Sequence, residues 1–305
     1  MDLGRLRTLR ELAVRQTMAA VAQALLVSPS AVSQQIALLE EETGSQLVER
    51  RGRGVRLTAA GQKLLVHAER IITEIEAAKT ELAELKKVVS GEIRLAAFPS
   101  VAAVLVPDTI IALRAKHPLL TVKFDELEPT ESLAALRAWQ IDAALIDDLN
   151  IPAGELDINV ETVPVIEDVF HVMLPRAHRL ARTSTVKLKD LQAEQWAIDT
   201  ASPTYTQMII GLCRKAGFEP VIVARCGGFE VTQALTEAGC AISIIPGLRA
   251  SHEMTHVAVR KLLPEIRRKI AVATRKGEQR QPKLKVLIEY IRASAAAYKD
   301  RKLIM

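Results

Sequence analysis

Residues 17–44 contain two short helical patterns separated by a stop and a new start, and this arrangement restricts the fold most strongly. Thr17 is placed to cap the earlier helix and Ser28 to cap the later one. Pro29 suits the first helical position because its missing N–H leaves no hydrogen bond unmade, and Gly44 is typical of a helix C-terminus. A preceding amphipathic helix is predicted by the spacing of Leu6, Leu9, Leu12 and Ala13. The chain therefore begins with three short helices.

The third predicted helix has an apolar face and a face of small or amide side chains. The apolar stripe runs from Val32 through Ile36 to Leu39, and the opposite face carries Ser30 and Gln34, with Ser33 on its flank. Glutamine can form two hydrogen bonds with adenine, and serine can bond any base edge. These features suit a helix that enters the major groove of DNA, and an ordinary surface helix is the alternative.

A basic segment punctuated by glycines follows this helix. Residues 47–57 have the pattern of two short strands around a turn. This segment contains four arginines, Arg50, Arg51, Arg53 and Arg56, and only one acidic residue, Glu49. A two-stranded wing would place such arginines on phosphates or in the minor groove. The alternatives are a solvated basic hairpin and an unstructured basic segment.

A long helix with a heptad pattern is predicted over about residues 59–89. Its apolar a and d positions are Gly61, Leu64, Ala68, Ile71, Ile75, Ala78, Leu82, Leu85 and Val89. A narrow apolar stripe sustained over four heptads favours pairing with a second helix over packing in the core of a monomer. We therefore expect a homodimer or a homotetramer.

Composition sets the compartment but not the function. The first residues of this 305-residue sequence lack the pattern of a secretory signal, and no apolar run is long enough for a membrane span, so we expect neither. Its three cysteines, Cys213, Cys226 and Cys240, lack metal-ligand spacing and fit a reduced cytoplasm. The net charge is +2 over residues 1–90, −6 over 91–266 and +9 over 267–305. The basic C-terminal part is interpreted as solvated helix and strand edge, with an auxiliary DNA contact as the alternative.

After Ser90-Gly91 the pattern changes to alternating strands and helices. Strands are predicted at 93–98, 120–124, 142–146, 169–174, 196–199, 221–224, 241–246 and 269–274, and helices at 102–116, 131–139, 205–216, 230–238 and 282–298. This alternation favours a parallel sheet covered by helices. The second set starts near Asp168, which indicates two α/β lobes.

Candidate ligand contacts follow from the ends of these strands. Ligands of such sheets bind beyond the carboxyl ends of strands, near helix N-termini. This rule selects Ser100, Val101, Thr130, Thr200, Ser202 and, after Gly227-Gly228, Phe229. Each of these residues alone also fits a helix cap. Their recurrence at strand ends favours a small-molecule site.

The N-terminal part resembles the LysR-type transcriptional regulators. The resemblance covers about the first 65 residues and rests on Ala22–Leu25, Val27-Ser28, Ala31–Ile36, Leu39-Glu40, Gly44, Leu47, Glu49-Arg50, Val55–Thr58 and Ala60-Gly61. It implies an α+β multidomain fold with a winged helix-turn-helix at 1–60 and a linker or dimerisation helix at 61–90. It also implies a two-lobed effector domain at 91–305, similar to periplasmic binding proteins. Lobe 1 would span about 91–163 and 268–305, and lobe 2 about 164–267.

The resemblance implies a regulator that binds an operator in double-stranded DNA and responds to a small-molecule effector, without membrane or cofactor. The expected DNA contacts are Thr17, Ser28, Ser30, Ser33, Gln34, Arg51, Arg53 and Arg56. The family commonly has Gln-Pro where this chain has Pro29-Ser30, and Arg in place of Gln34. Val48 stands where Phe is usual. These departures leave the preferred base sequence open.

An enzyme is the alternative from another class. His252 to His256 spells H-E-x-x-H, which on a helix could bind zinc for hydrolysis. The following residues favour a strand instead, and no third ligand is evident, so we expect neither a metal site nor catalysis. The cysteines could form a redox sensor, as in the peroxide-responsive members of the family. Asp147-Asp148 is interpreted as a strand end, and a solute-binding protein is disfavoured by the N-terminal module.

Overall fold

The computed structural model describes residues 1–25, 27–52, 54–85, 89–137, 139–151, 156, 160–250 and 254–303. The chain divides into two compact units. One comprises residues 1–89, 137–140 and 277–282, and the other comprises 90–136, 141–276 and 283–305. None of the described helices has the length and apolar character needed to cross a membrane.

The N-terminal unit begins with the helices and hairpin that the sequence predicts. Its elements are α1 (Leu3–Arg15), α2 (Met18–Leu25), α3 (Pro29–Thr43), β1 (Val48–Arg51), β2 (Gly54–Leu57) and α4 (Ala59–Leu85). The predicted caps are confirmed. Thr17 Oγ1 accepts a hydrogen bond from the Ala20 N–H at 3.2 Å, and Ser28 Oγ accepts one from the Ala31 N–H at 3.1 Å. Gly44 ends α3 in the left-handed region, at φ 61°.

The long helix α4 differs from the sequence expectation in its first half. Ala68 is fully buried, and Leu64 packs beside it in the core of its own unit. The predicted heptad seam is therefore not free for a partner over these turns, because the monomer uses it. Further along, Ile71 and Leu82 are 40% and 62% exposed. Residues 86–88, within the predicted helix, lie outside the described residues.

The C-terminal unit contains two lobes joined by long strands. Its strands are β3 (Gly91–Ala97), β4 (Leu120–Glu126), β5 (Ala143–Asp147), β6 (Val160–Pro175), β7 (Thr185–Lys187), β8 (Gln195–Asp199), β9 (Val221–Cys226), β10 (Ser243–Pro246), β11 (Val257–Leu263) and β12 (Arg267–Arg275). Its helices are α5 (Pro99–Lys116), α6 (Pro129–Arg137), α7 (Pro203–Lys215), α8 (Phe229–Glu237) and α9 (Pro282–Leu303).

The main sheet contains both parallel and antiparallel strand pairs, so the prediction of a parallel sheet is wrong. Its strands follow the order β4-β3-β5-β12-β6-β11-β7, and β10 also pairs with β6. The β3–β4 and β3–β5 pairs are parallel, but β12 runs antiparallel to both β5 and β6. The reason is the length of β6, which begins at Val160 and continues through both lobes, so that β12 returns along it.

The basic C-terminal segment is also more buried than predicted. Strand β12 lies between β5 and β6 instead of at a sheet edge. Arg268 and Arg275 on this strand are 5% and 8% exposed. The Arg275 guanidinium donates to the carbonyl oxygens of Leu136 and Ile141 at 2.8 and 2.7 Å. The interpretation as solvated strand edge is therefore wrong for β12.

Candidate functional site

The first candidate surface is the exposed face of α3. Ser30, Ser33 and Gln34 are all exposed there, while Val32 and Ile36 are buried on the other side. The hydroxyl groups of Ser28 and Ser30 lie 2.8 Å apart and form a hydrogen bond. The start of α3 therefore presents hydroxyl and amide groups to the surroundings on a rigid helix.

Glu40 ties the basic hairpin to this helix. Its Oε1 accepts hydrogen bonds from the backbone N–H groups of Leu47 at 2.7 Å and Val48 at 3.1 Å. On the other strand, the Val55 N–H donates to the Gln16 carbonyl oxygen at 2.7 Å. Spacing in the sequence does not reveal this role of Glu40, because its partners lie seven and eight residues along the chain. The hairpin is thereby held beside α3.

The pairing of the hairpin separates its arginines. Glu49 pairs with Arg56 and Arg51 with Gly54, while Arg50 pairs with Val55. Because side chains alternate along a strand, Arg51 and Arg56 share a face that Arg50 does not. Both side chains are exposed. Arg53, the predicted minor-groove contact, lies outside the described residues.

The second candidate site is a cavity in the C-terminal unit, between the two lobes. It has a free volume of about 710 Å³, part of it open to solvent. Both lobes contribute to its lining, which consists of Phe98, Pro99, Ser100, Glu128, Asp147, Leu149, Asn150, Phe170, Asp199, Ala201, Ser202, Tyr205, Phe229, Thr232, Ser243, Ile244, Ile245, Pro246, Arg249 and Arg268. Its mixed lining of apolar and polar side chains is typical of sites that bind small organic molecules.

Three of the six predicted ligand contacts line this cavity. They are Ser100, Ser202 and Phe229. The other three residues have different positions. Val101 is fully buried in α5, Thr130 is exposed on α6, and the Thr200 hydroxyl donates to the Cys226 carbonyl oxygen at 2.9 Å.

A buried ionic cluster forms one wall of the cavity. The Arg268 guanidinium donates to Asp168 Oδ2 at 2.8 and 3.0 Å, to Asp147 Oδ2 at 3.2 Å and to Ser100 Oγ at 2.8 Å. Asp147 and Asp168 are 2% and 4% exposed. Asp168 Oδ1 also accepts from the Leu248 N–H at 3.0 Å. Sequence reasoning missed Arg268, because its partners lie 100 or more positions away.

Two further carboxyl groups on the cavity wall have raised pKa values. Burial raises the pKa of Glu128, and the charges of Asp147 and Asp199 act in the same direction against a hydrogen bond from Ser202. Burial likewise raises the pKa of Asp199. Tyr205 also lines the cavity, and its hydroxyl donates a hydrogen bond to the Ile244 carbonyl oxygen. The sequence contains one signal for Glu128, its position between the strand predicted at 120–124 and the helix predicted at 131–139.

The structure gives little support to a zinc site at His252 and His256 or to a redox sensor formed by the cysteines. His252 and Glu253 lie outside the described residues, and His256 occupies a turn directly before β11, whose position confirms the predicted strand. No group of three or more His, Cys, Asp or Glu in the described part of the chain could hold a metal ion.

Burial raises the pKa of the Cys213 thiol to about 11. Asp147 ends β5, which confirms its interpretation as a strand end.

These two sites define a class of protein, a transcription regulator with a DNA-reading head and a ligand-binding domain. Comparison with known families agrees. Residues 3–62 match the family described as bacterial regulatory helix-turn-helix protein, lysR family. Residues 86–296 match the LysR substrate binding domain. The chain belongs to the LysR family, whose members are DNA-binding transcriptional regulators with an effector-binding domain.

Individual relatives resemble the chain over its whole length. It is 27% identical to the transcriptional dual regulator GltC of Bacillus subtilis, over 95% of this chain and 96% of the relative. It is 26% identical to a hydrogen peroxide-inducible genes activator of Pectobacterium carotovorum, over 98% and 99%. Among solved structures, full-length CbnR complexed with its target DNA is 28% identical, with a TM-score of 0.56 over 97% of this chain and all of CbnR.

Proposed function

We propose that the chain binds a two-fold symmetric operator as a homodimer or homotetramer, and that a small molecule in the interlobe cavity changes this binding. In this proposal residues 1–60 read DNA, residues 61–90 pair the protomers and residues 91–305 sense the effector. The protein acts in the cytoplasm by binding and not by catalysis. The observation that carries the proposal is the exposed hydroxyl and amide face of α3, held beside a basic hairpin.

The DNA contacts are assigned by position. Ser30, Ser33 and Gln34 face outward from the first turns of α3, where a recognition helix meets base edges. Arg51 and Arg56 lie on one face of the hairpin and can contact phosphates. The minor-groove contact is assigned to Arg53 from the sequence alone. Thr17 and Ser28, at the starts of α2 and α3, complete the contacts. The relative CbnR, solved with its target DNA, supports DNA as the partner.

Pairing of protomers is assigned to the part of α4 beyond Ala68. Ile71, near the middle of this helix, and Leu82, near its end, are exposed apolar residues, whereas the first turns pack in the core of their own unit. A second copy of this helix would cover them. Two heads paired in this way would read half-sites about one helical turn, or multiples of it, apart.

The effector is assigned to the cavity that contains Ser100, Ser202 and Phe229. A molecule that touches both lobes favours one relative arrangement of them, since its affinity differs between the two arrangements. This difference in affinity is what can alter operator binding.

The test is a substitution on α3 with a matched control. DNA fragments that bind the purified protein are selected first, and the affinity of variants is then measured by fluorescence anisotropy at fixed salt. Gln34→Ala should weaken operator binding by about tenfold or more, because a good bidentate base contact contributes about 1–3 kcal/mol. It should also relax the preference at one base pair. Gln207→Ala, at an exposed glutamine on α7 outside the N-terminal unit, should bind as the wild type does. Equal affinity and equal specificity of both variants would overturn the assignment of Gln34.

A further inference from the structure

We infer that the effector of this regulator is a small organic cation, with an ammonium or amidinium group held between Glu128 and Asp199 and a compact apolar body. This inference rests on the proposed effector cavity and adds the charge of the molecule that fits it. It follows from a comparison of the charged groups on the cavity wall and the partners that each already has.

The two carboxylates approach the cavity from opposite lobes. Glu128 lies directly before α6 in one lobe, and Asp199 ends β8 in the other. The Ser202 hydroxyl lowers the pKa of Glu128 against the effect of burial, and Asp199 Oδ1 accepts a hydrogen bond from the Ala201 N–H at 3.0 Å. Among the described residues, no lysine or arginine nitrogen lies within 4.0 Å of either carboxylate. Of the described carboxylates on the cavity wall, these two have no ion pair within 4.0 Å.

The two arginines of the cavity, in contrast, already have acidic partners. Arg268 lies between Asp147 and Asp168 and makes hydrogen bonds to both. Arg249 stacks over the Phe229 ring at 4.9 Å and lies 4.0 Å from Glu230, and it also acts on the charge of Asp199. An anionic effector would have to compete with Asp147 and Asp168 for Arg268. For Arg249 it would have to compete with Glu230 and Asp199.

The helix N-termini around the cavity do not change its preference for a positively charged ligand. Helices α5, α6 and α7 begin with Pro99, Pro129 and Pro203, so each lacks one of the free N–H groups with which a helix N-terminus can bind an anion. The first turn of α6 carries Glu131, and that of α8 carries Glu230. These carboxylates already complement the positive ends of their helices. The cavity therefore favours a cation electrostatically.

Burial strengthens this preference. Because burial raises the pKa of both Glu128 and Asp199, keeping either group ionised near neutral pH costs free energy in the empty cavity. A cation between them would offset this cost and lower both pKa values. The side chains of Leu149, Ile244 and Ile245 provide the apolar contact for its body. Binding should weaken as the pH falls through the pKa values, since protonation removes the charge that holds the ligand.

A fragment screen on the full chain tests the inference. Matched sets in which one aromatic or alkyl body carries an amine, a hydroxyl or a carboxylate are screened by ligand-observed NMR at neutral pH, and the ligands that bind are titrated by calorimetry. Ala201→Trp identifies ligands of the cavity, because Ala201 is an exposed residue at its wall. Glu128→Gln and Asp199→Asn remove the proposed charges. Glu126→Gln, an exposed acid on β4 outside the cavity lining, is the control.

The expected result is binding of amines that Ala201→Trp blocks, with affinity about tenfold lower in Glu128→Gln and in Asp199→Asn but unchanged in Glu126→Gln. If Ala201→Trp blocks carboxylates instead, and Glu128→Gln leaves or strengthens their binding, the cation is wrong while the effector cavity stands. If no fragment is displaced by Ala201→Trp, the proposed cavity fails and this inference fails with it. Circular dichroism of each variant establishes that the fold is intact.

Discussion

The exposed face of α3 and the buried cluster around Arg268 both consist of polar side chains, but they differ in burial and in their need for partners within the protein. On α3, Ser30 and Gln34 remain exposed beside an apolar core, so the module is stable without their partners. At Arg268 the charges are almost fully buried, and each one depends on the others. A substitution on α3 should therefore change binding, whereas a substitution at Arg268 should change stability first.

The largest expected effect is at Arg268. Arg268→Met leaves Asp147 and Asp168 buried without their cation, which should cost about 3–5 kcal/mol of unfolding free energy. Urea unfolding followed by tryptophan fluorescence measures the change. The adjacent Arg267 is the control, because its ion pairs with Glu167 and Glu265 are exposed and Arg267→Met should have little effect. Similar losses in both variants would show that burial is not what distinguishes the two arginines.

A smaller loss of stability is expected at Gly61 in α4. A Cβ atom there would lie 2.1 Å from the Leu47 carbonyl oxygen, a backbone atom that cannot move aside cheaply. Gly61→Ala should therefore lower the unfolding free energy by about 1–3 kcal/mol and weaken operator binding with it. Gly52→Ala is the comparison. Gly52 has a φ of +58° but open space around it, so the cost should be only about 1 kcal/mol, from backbone strain. Thermal unfolding of both variants ranks them, and an equal loss would contradict the role of the close contact.

The smallest expected effect is that of peroxide. The thiolate is the reactive form of cysteine, and the raised pKa of Cys213, about 11, leaves little of it at neutral pH. Cys226 is buried as well, and Cys240 is exposed. Peroxide should therefore leave operator affinity unchanged, in an anisotropy titration before and after treatment. A change in affinity that Cys213→Ser abolishes would instead show a thiol sensor.

The roles of residues whose partners lie close in the chain were predictable from the sequence. The caps at Thr17 and Ser28 bond to residues three positions later, and Gly44 needs only its own backbone angle. The exposed face of α3 follows in the same way from helical periodicity. The mixed sheet was not predictable, because strand direction depends on how far β6 continues, and alternating strand and helix patterns do not contain that length.

The fold of the N-terminal head is predictable from the sequence, since caps, periodicity and glycine positions all act over a few residues. Which charges of the cavity have partners follows instead from contacts between distant parts of the chain. Asp147 and Asp168 meet Arg268 across 121 and 100 residues, and Glu128 and Asp199 reach the cavity from different lobes. Burial and ion pairing depend on distance in space, and that distance is set by the packing of the lobes and not by spacing along the chain.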